Sequence, residues 1–118
     1  MRLYHATRNS LRGLADAARK ETSVREELIL LLAAFPAGLA IAPSPAWLVA
    51  MIGAMLLMLA VEFLNTAIEK LADYLAPERH PAIGLVKDYG SAAVFFSIVF
   101  TLLVWLAAIL VRLELIGN

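Results

Sequence analysis

Four polar side chains recur at helical spacing directly after a long apolar run. On a wheel of 100° per residue, Glu62, Asn65, Glu69 and Asp73 fall within about 80° of one another, and apolar residues cover the rest of that surface. Carboxylates at this spacing repel one another, and in or near a bilayer they usually mark a functional site or a water-filled cavity. This polar stripe therefore predicts a cation opposite it. Magnesium, bound through one or two carboxylates together with phosphate oxygens, is one candidate.

A simpler interpretation is a helix end that emerges into water. It accounts for Asp73 and Glu69 better than for Glu62 and Asn65, which come directly after sixteen uncharged residues of the predicted second span (46–61). We therefore favour a functional site over a solvated helix end.

Two further polar clusters lie elsewhere in the chain. One precedes the first predicted membrane span and consists of Glu21, Arg25, Glu26 and Glu27, and the other is Lys87-Asp88. With the topology inferred below, both clusters lie on the same membrane surface as the polar stripe, so the three could converge. His80 has no second histidine at ligand spacing, which favours a solvated loop residue. Because no Walker or kinase glycine loop is present, any nucleotide phosphates would be held by metal, Lys or Arg, and isolated backbone groups.

The composition points to a membrane protein. Apolar residues make up 62% of the 118 residues, against about 45–50% in a typical soluble domain, and so short a chain has little interior in which to bury the excess. The formal net charge of zero gives no basic field for nucleic acid. Without cysteine there are no disulfides or thiolate metal sites. The N-terminus, with charges of both signs and no apolar core segment, is not expected to be a signal peptide.

Hydropathy and proline placement divide the chain into one interfacial helix and three membrane spans. Residues 3–22 form an amphipathic helix with a cationic face, which suits the membrane interface. The charge-free run 28–61 would be about 51 Å long as one helix, which exceeds the ~30 Å hydrocarbon core, so it must turn back at Pro43-Ser44-Pro45. We predict an all-α fold and a single domain over 1–118, with spans at about 26–42, 46–64 (continuing as helix to 75) and 89–111.

Basic residues set the predicted orientation. Six of the ten Lys and Arg residues lie in the first 25 positions, whereas the turn at 43–45 carries none. By the positive-inside rule, the N-terminus and the loop after the second span are cytoplasmic, and the C-terminus is external.

The motifs resemble the prokaryotic diacylglycerol kinase family. The resemblance rests on Glu62-x-x-Asn65-Thr66-Ala67-Ile68-Glu69 followed by Asp73, on Lys87-Asp88-Tyr89-Gly90-Ser91-Ala92-Ala93-Val94, on Glu21-x-x-x-Arg25, and on His80 and Gly84 ahead of Lys87. It extends over nearly the whole chain. It implies a homotrimeric kinase of the bacterial inner membrane that transfers the γ-phosphoryl of ATP to diacylglycerol and uses magnesium.

The resemblance also implies roles for individual residues. Glu62 would be the general base and Asn65 would position the reacting groups, both in contact with the lipid. Glu21 and Glu69 would hold magnesium on the ATP phosphates. Lys87 would neutralise phosphate charge, Asp88 would support the nucleotide site, and Ser10 and Gly13 would cover the nucleotide. Arg25 and Glu27 would contact the lipid. His80 and Gly84 match the family pattern without a specific role.

Three alternatives stay open. A related branch of the family phosphorylates undecaprenol, although Gly90-Ser91 after Lys87-Asp88 favours diacylglycerol. A small ion-coupled transporter would use Glu62 as a proton carrier, but the acids cluster at one end of a span. A non-catalytic assembly subunit would bind no nucleotide.

Overall fold

The protein is a bundle of α-helices. The computed structural model describes residues 1–76, 78 and 80–117, and all regular structure within this part of the chain is helical. The four helices are α1 (Arg2–Lys20), α2 (Thr22–Ile41), α3 (Pro45–Leu75) and α4 (Pro81–Arg112). The predicted all-α fold is confirmed. Helix α3 is continuous, so the polar stripe extends the same helix that carries the apolar segment before it.

Side-chain caps determine where the two long helices begin. The Trp47 backbone N–H donates to Ser44 Oγ over 3.3 Å, and a proline follows the cap. At α4 the Ala82 N–H donates to His80 Nδ1 over 3.1 Å, again with a proline in the first turn. Such caps satisfy backbone donors that have no partner inside the helix. His80 is exposed, as predicted, and it also starts α4.

The His80 cap moves the start of α4 to Pro81, eight residues before the predicted start of the third span at Tyr89. Lys87 and Asp88 therefore lie inside a helix and not ahead of one. Hydropathy located only the apolar part of this helix, because its first two turns contain residues that suit a membrane surface.

Helices α3 and α4 are each long and apolar enough to cross a membrane. They contain the predicted second and third spans. Helix α2 has 20 residues and continues through Pro36, but its first turns carry Arg25, Glu26 and Glu27. It is not among the candidate spans that length and composition identify in the described part of the chain. A third crossing by α2 therefore stays a prediction.

Helices α3 and α4 form the main interface of the bundle, α2 packs chiefly on α3, and α1 packs on α2. The buried Thr101 hydroxyl of α4 lies 3.2 Å from Ala54 O of α3 and 2.9 Å from Ser97 O of its own helix, so it can donate to either. One turn further along, the Trp105 indole N–H donates to Met51 O over 3.1 Å. Helix α2 approaches closely at the buried Gly38, where a Cβ would meet the Leu48 side chain.

Large apolar side chains cover much of the outer surface. The exposed fraction of the residue is 72% at Leu32 and Leu39 and 69% at Phe96, for example. Soluble monomers rarely expose continuous apolar surface on this scale. The distribution is that of a protein whose outer face is covered by lipid or by other membrane helices.

Loss of the Thr101 hydroxyl should weaken the α3–α4 interface. Valine has nearly the same shape but cannot donate, so Thr101→Val should lower the free energy of unfolding by about 0.6–1.7 kcal/mol. The measurement is unfolding by SDS in mixed micelles, followed by circular dichroism. Thr101→Ser keeps the donor and is the matched control. An unfolding curve for Thr101→Val that overlays the wild type would show that this interhelix hydrogen bond contributes nothing.

Candidate active site

Glu62 lies in the interior of the bundle. Its side chain belongs to the buried face of α3, follows the buried Met58 and Leu59, and is 6% exposed. The Ser23 side chain of α2 lies near it. A carboxylate is costly to bury without a partner, so this position is difficult to explain by packing alone.

A cleft of about 790 Å³ lies between α2, α3 and α4 and contains Glu62 in its wall. One end is polar, and its lining residues are Ser23, Glu26, Glu27, Glu62, Asn65, Glu69 and Ser91. The remainder is apolar, and its lining residues are Leu30, Ala33, Ala34, Ala37, Met55, Met58, Val94, Ile98, Thr101, Leu102 and Trp105. A molecule with a polar head and an apolar chain matches this division. Three members of the polar stripe thus line one cleft.

Two polar atoms in this region are buried and lack a hydrogen-bond partner among the described residues. They are Glu27 Oε1 and Asn65 Oδ1. Glu27 of α2 lies close enough to Glu62 of α3 for the Glu62 charge to act on it. Buried polar atoms are nearly always paired, so the unpaired Glu27 oxygen beside the cleft indicates a place where a ligand or water binds.

The corner between α1 and α2 positions Glu21. This residue has extended backbone between the two helices. The Arg25 guanidinium turns back and donates from Nη1 to Ala18 O over 3.3 Å and to Arg19 O over 3.1 Å. Arg25 therefore binds the C-terminal carbonyls of α1, where a cation is favoured. Sequence reasoning gave Arg25 only a lipid contact. The available signal was a basic residue just beyond the predicted end of an amphipathic helix.

A lysine of α3 holds the Glu21 carboxylate. Lys70 Nζ lies 2.9 Å from Glu21 Oε2. Lys70 follows Glu69 directly in the chain, and both Glu21 and Glu69 lie near enough to Glu62 to act on it electrostatically. The pairing of Glu21 with α3 could not be read from the sequence, because 49 positions separate the two partners.

The carboxylates fit magnesium only in combination with phosphate. No three His, Cys, Asp or Glu side chains within the described ranges are grouped so as to hold a metal ion by themselves. Magnesium at kinase sites is usually bound by one or two carboxylates plus substrate phosphates. Glu21 and Glu69 supply such hard oxygen donors, and a cation already sits against Glu21.

Lys87 and Asp88 border a second, smaller cleft of about 340 Å³. The cap residue His80, Gly84 of α4 and Asp73 of α3 also line it. Lys87 Nζ forms an ion pair with Asp73, the last member of the polar stripe. The structure thus divides the stripe: three members line the main cleft, and Asp73 turns to Lys87. Within a single chain, Glu26 and Glu27 share the main cleft with the stripe, whereas Lys87 and Asp88 border a different cleft.

Ser10 and Gly13 lie on α1, away from both clefts. Ser10 Oγ donates to Ala6 O of its own helix over 2.9 Å, and a Cβ at Gly13 would meet nothing. Both are exposed, and α1 packs on α2 alone within the described chain. Near the end of α1, Lys20 lies 2.9 Å from Asp16 and its hydrogen bond lowers the pKa of that carboxyl.

Comparison with known proteins settles the family. The family model of prokaryotic diacylglycerol kinase matches residues 8–109. The chain belongs to this family. A diacylglycerol kinase of Haemophilus influenzae is 36% identical over 103 residues, which cover 87% of each chain. One of Pseudomonas aeruginosa is 36% identical over 109 residues (92% of this chain and 89% of that one), and one of Escherichia coli K12 is 33% identical over 104 residues (88% and 85%).

This membership makes the chain a lipid kinase of the prokaryotic type. The resemblance drawn from the motifs at positions 62–73 and 87–94 is confirmed by the matches, which extend over most of the chain. Kinase chemistry also gives a reason for acidic side chains at the mouth of an apolar cleft.

Removing the Arg25 cap should loosen the end of α1. Arg25→Gln cannot bind both carbonyls, so amide hydrogen exchange in residues 16–21 should become about tenfold faster, equivalent to about 1.4 kcal/mol. Hydrogen exchange with mass spectrometry in detergent micelles measures this. The control is Arg12→Gln, which removes an exposed cation from the middle of the same helix. Equal exchange in both variants would exclude Arg25 as the cap.

Proposed function

We propose that the protein transfers the γ-phosphoryl group of ATP to the hydroxyl of diacylglycerol, which yields phosphatidic acid and ADP at the cytoplasmic membrane surface. The observation that carries the proposal is the buried Glu62 carboxylate at the polar end of an otherwise apolar cleft. A diacylglycerol molecule has the same division, with a hydroxyl at its head and two acyl chains. The relatives named diacylglycerol kinase support the same substrate.

Glu62 is the general base in this proposal. The lipid hydroxyl oxygen forms a bond to the γ-phosphorus, the bond from that phosphorus to the β,γ-bridging oxygen breaks, and the hydroxyl proton passes to Glu62. Phosphoryl transfer depends mainly on positioning and on neutralisation of charge, and a well-placed base adds typically ~10²–10⁴-fold. Asn65, one helical turn further along α3, positions the reacting groups.

The nucleotide site combines Glu69, at the polar end of the main cleft, with residues outside that cleft. Glu21 and Glu69 would hold magnesium, which supplies charge neutralisation on the ATP phosphates. Lys87 neutralises phosphate charge and Asp88 supports the nucleotide, while Ser10 and Gly13 on α1 cover it. Arg25 and Glu27 lie near the lipid. Lys70 pairs with Glu21 and Lys87 pairs with Asp73, and these partly or largely exposed ion pairs are weak enough for ligand to replace them.

We further propose three membrane spans, with α2 as the first, a cytoplasmic N-terminus, an external C-terminus and a homotrimer. The exposed apolar faces of α2, α3 and α4 support burial in lipid and against neighbouring copies. A site shared between subunits would bring Lys87 of one copy to the main cleft of another, which the separate clefts of a single chain do not do.

Removal of the Glu62 carboxylate should abolish most turnover. Glu62→Gln keeps the shape of the side chain but takes up no proton, so kcat should fall by about 10²–10⁴-fold. The assay is transfer of labelled phosphate from ATP to a short-chain diacylglycerol in mixed micelles.

The matched control is Glu114→Gln, the same chemical change on the exposed segment after α4. Both variants should insert into the membrane and assemble as the wild type does. Substantial activity in folded Glu62→Gln would end the general-base assignment.

The metal assignment predicts a different phenotype for Glu69. Glu69→Gln should raise the magnesium concentration needed for half-maximal activity by about tenfold, while the KM for lipid changes little, since one of two carboxylate ligands is lost. The measurement is a magnesium titration at fixed ATP and lipid.

Lys70→Met gives a comparison in the opposite direction, because it frees the Glu21 carboxylate from its ion pair. Its half-maximal magnesium concentration should lie at or below the wild-type value. A magnesium titration of Glu69→Gln that superimposes on the wild type would remove Glu69 from the metal site.

Undecaprenol is the second candidate substrate. A side-by-side assay of diacylglycerol and undecaprenol in the same micelles separates the two, and faster phosphorylation of undecaprenol would replace the substrate while leaving the roles of Glu62 and Glu69 in place.

A further inference from the structure

The Asn65 side chain of α3 lies against α4. Its Oδ1 atom is buried and has no hydrogen-bond partner among the described residues. The side chain also lines the polar end of the main cleft. With the carbonyl oxygen buried, the amide nitrogen is the part of the side chain that is left to face the cleft.

The residue opposite Asn65 is Gly90, which is buried in the second half of the Lys87–Val94 motif. A Cβ built on Gly90 would overlap Asn65 Oδ1 and lie 3.3 Å from Asn65 Cγ. Apart from its chain neighbours Tyr89 and Ser91 and the helix backbone around position 90, no other atom of the described residues comes within 4 Å of that Cβ. A methyl group here therefore conflicts with one side chain only, and it leaves the backbone packing of α3 and α4 intact.

We propose that Gly90 is a positioning residue for Asn65. The absent side chain leaves room for Oδ1 against α4, and this contact turns the amide N–H groups of Asn65 toward the cleft. The unpaired oxygen lies against the Gly90 backbone, where a Cα–H group can give it a weak contact. The inference rests on the proposed function for the catalytic role of Asn65, but the contact itself stands on geometry alone.

Gly90→Ala should rotate the Asn65 amide without unfolding the protein. The added methyl must displace the end of a short polar side chain, which requires less than a shift of backbone. A misplacement of about 1 Å at a reacting group can cost about 10²-fold in rate. We expect kcat to fall by about 10–10²-fold and the KM values for ATP and lipid to stay within about threefold.

Two readouts test the positioning role. Selective ¹⁵N labelling of asparagine side chains gives few signals, because the chain has only Asn9, Asn65 and Asn118. The Asn65 signal, identified by its loss in Asn65→Ser, should shift in Gly90→Ala. In addition, Gly90→Ala introduced into an Asn65→Ala background should leave kcat within about twofold of Asn65→Ala alone, since contacting residues are not additive.

The control is Gly53→Ala, also a glycine-to-alanine change within a helix, where a Cβ meets nothing. It gives the same gain in helix propensity and should move neither readout. An unshifted Asn65 signal in folded Gly90→Ala overturns the proposal, as does an equal loss of kcat with and without Asn65. A shifted signal with wild-type kcat supports the contact and overturns instead the catalytic role of Asn65.

Discussion

The interface between α3 and α4 is the constraint on which the site depends. Within lipid, apolar side chains gain little by leaving one apolar environment for another, so helices associate through close packing and interhelix hydrogen bonds. Here Trp105 and Thr101 reach backbone carbonyls of α3, and Gly90 allows the Asn65 side chain to lie directly on α4. These contacts fix the rotation of α3 about its axis. That rotation directs Glu62, Asn65 and Glu69 into one cleft.

The cleft combines two environments that a phosphoryl transfer to a lipid requires. Its apolar part, with Met55, Met58 and Leu102 in the wall, suits an acyl chain, and its polar end carries the Glu62 carboxylate, beside which the lipid hydroxyl lies in the proposed function. A buried carboxylate such as Glu62 is costly to keep, which is why such groups are rare unless they serve a function. The Glu27 Oε1 atom in the same cleft is buried without a hydrogen-bond partner, which likewise indicates that a polar group binds there.

Two further acidic groups, Glu21 and Asp73, are paired with lysines. Lys70 pairs with Glu21 across the corner between α1 and α2, and Lys87 pairs with Asp73 between α3 and α4. These pairs are partly or largely exposed, so their contribution to stability is small. Their importance is geometric, because the first joins the corner between α1 and α2 to α3 and the second joins α3 to α4.

The polar stripe, the apolar length of α3 and α4 and the family motifs could all be predicted from the sequence, because periodicity and hydropathy are properties of a local segment. Helix α4 begins eight residues before the predicted span that it contains, because the cap by His80 starts the helix at Pro81 and hydropathy does not register such a cap. Tertiary structure alone decided that Arg25 binds the end of α1, that Lys70 holds Glu21, and that Gly90 borders Asn65. Such contacts join residues on different helices, and their distances depend on how those helices pack and rotate against one another, which no local pattern in the chain records.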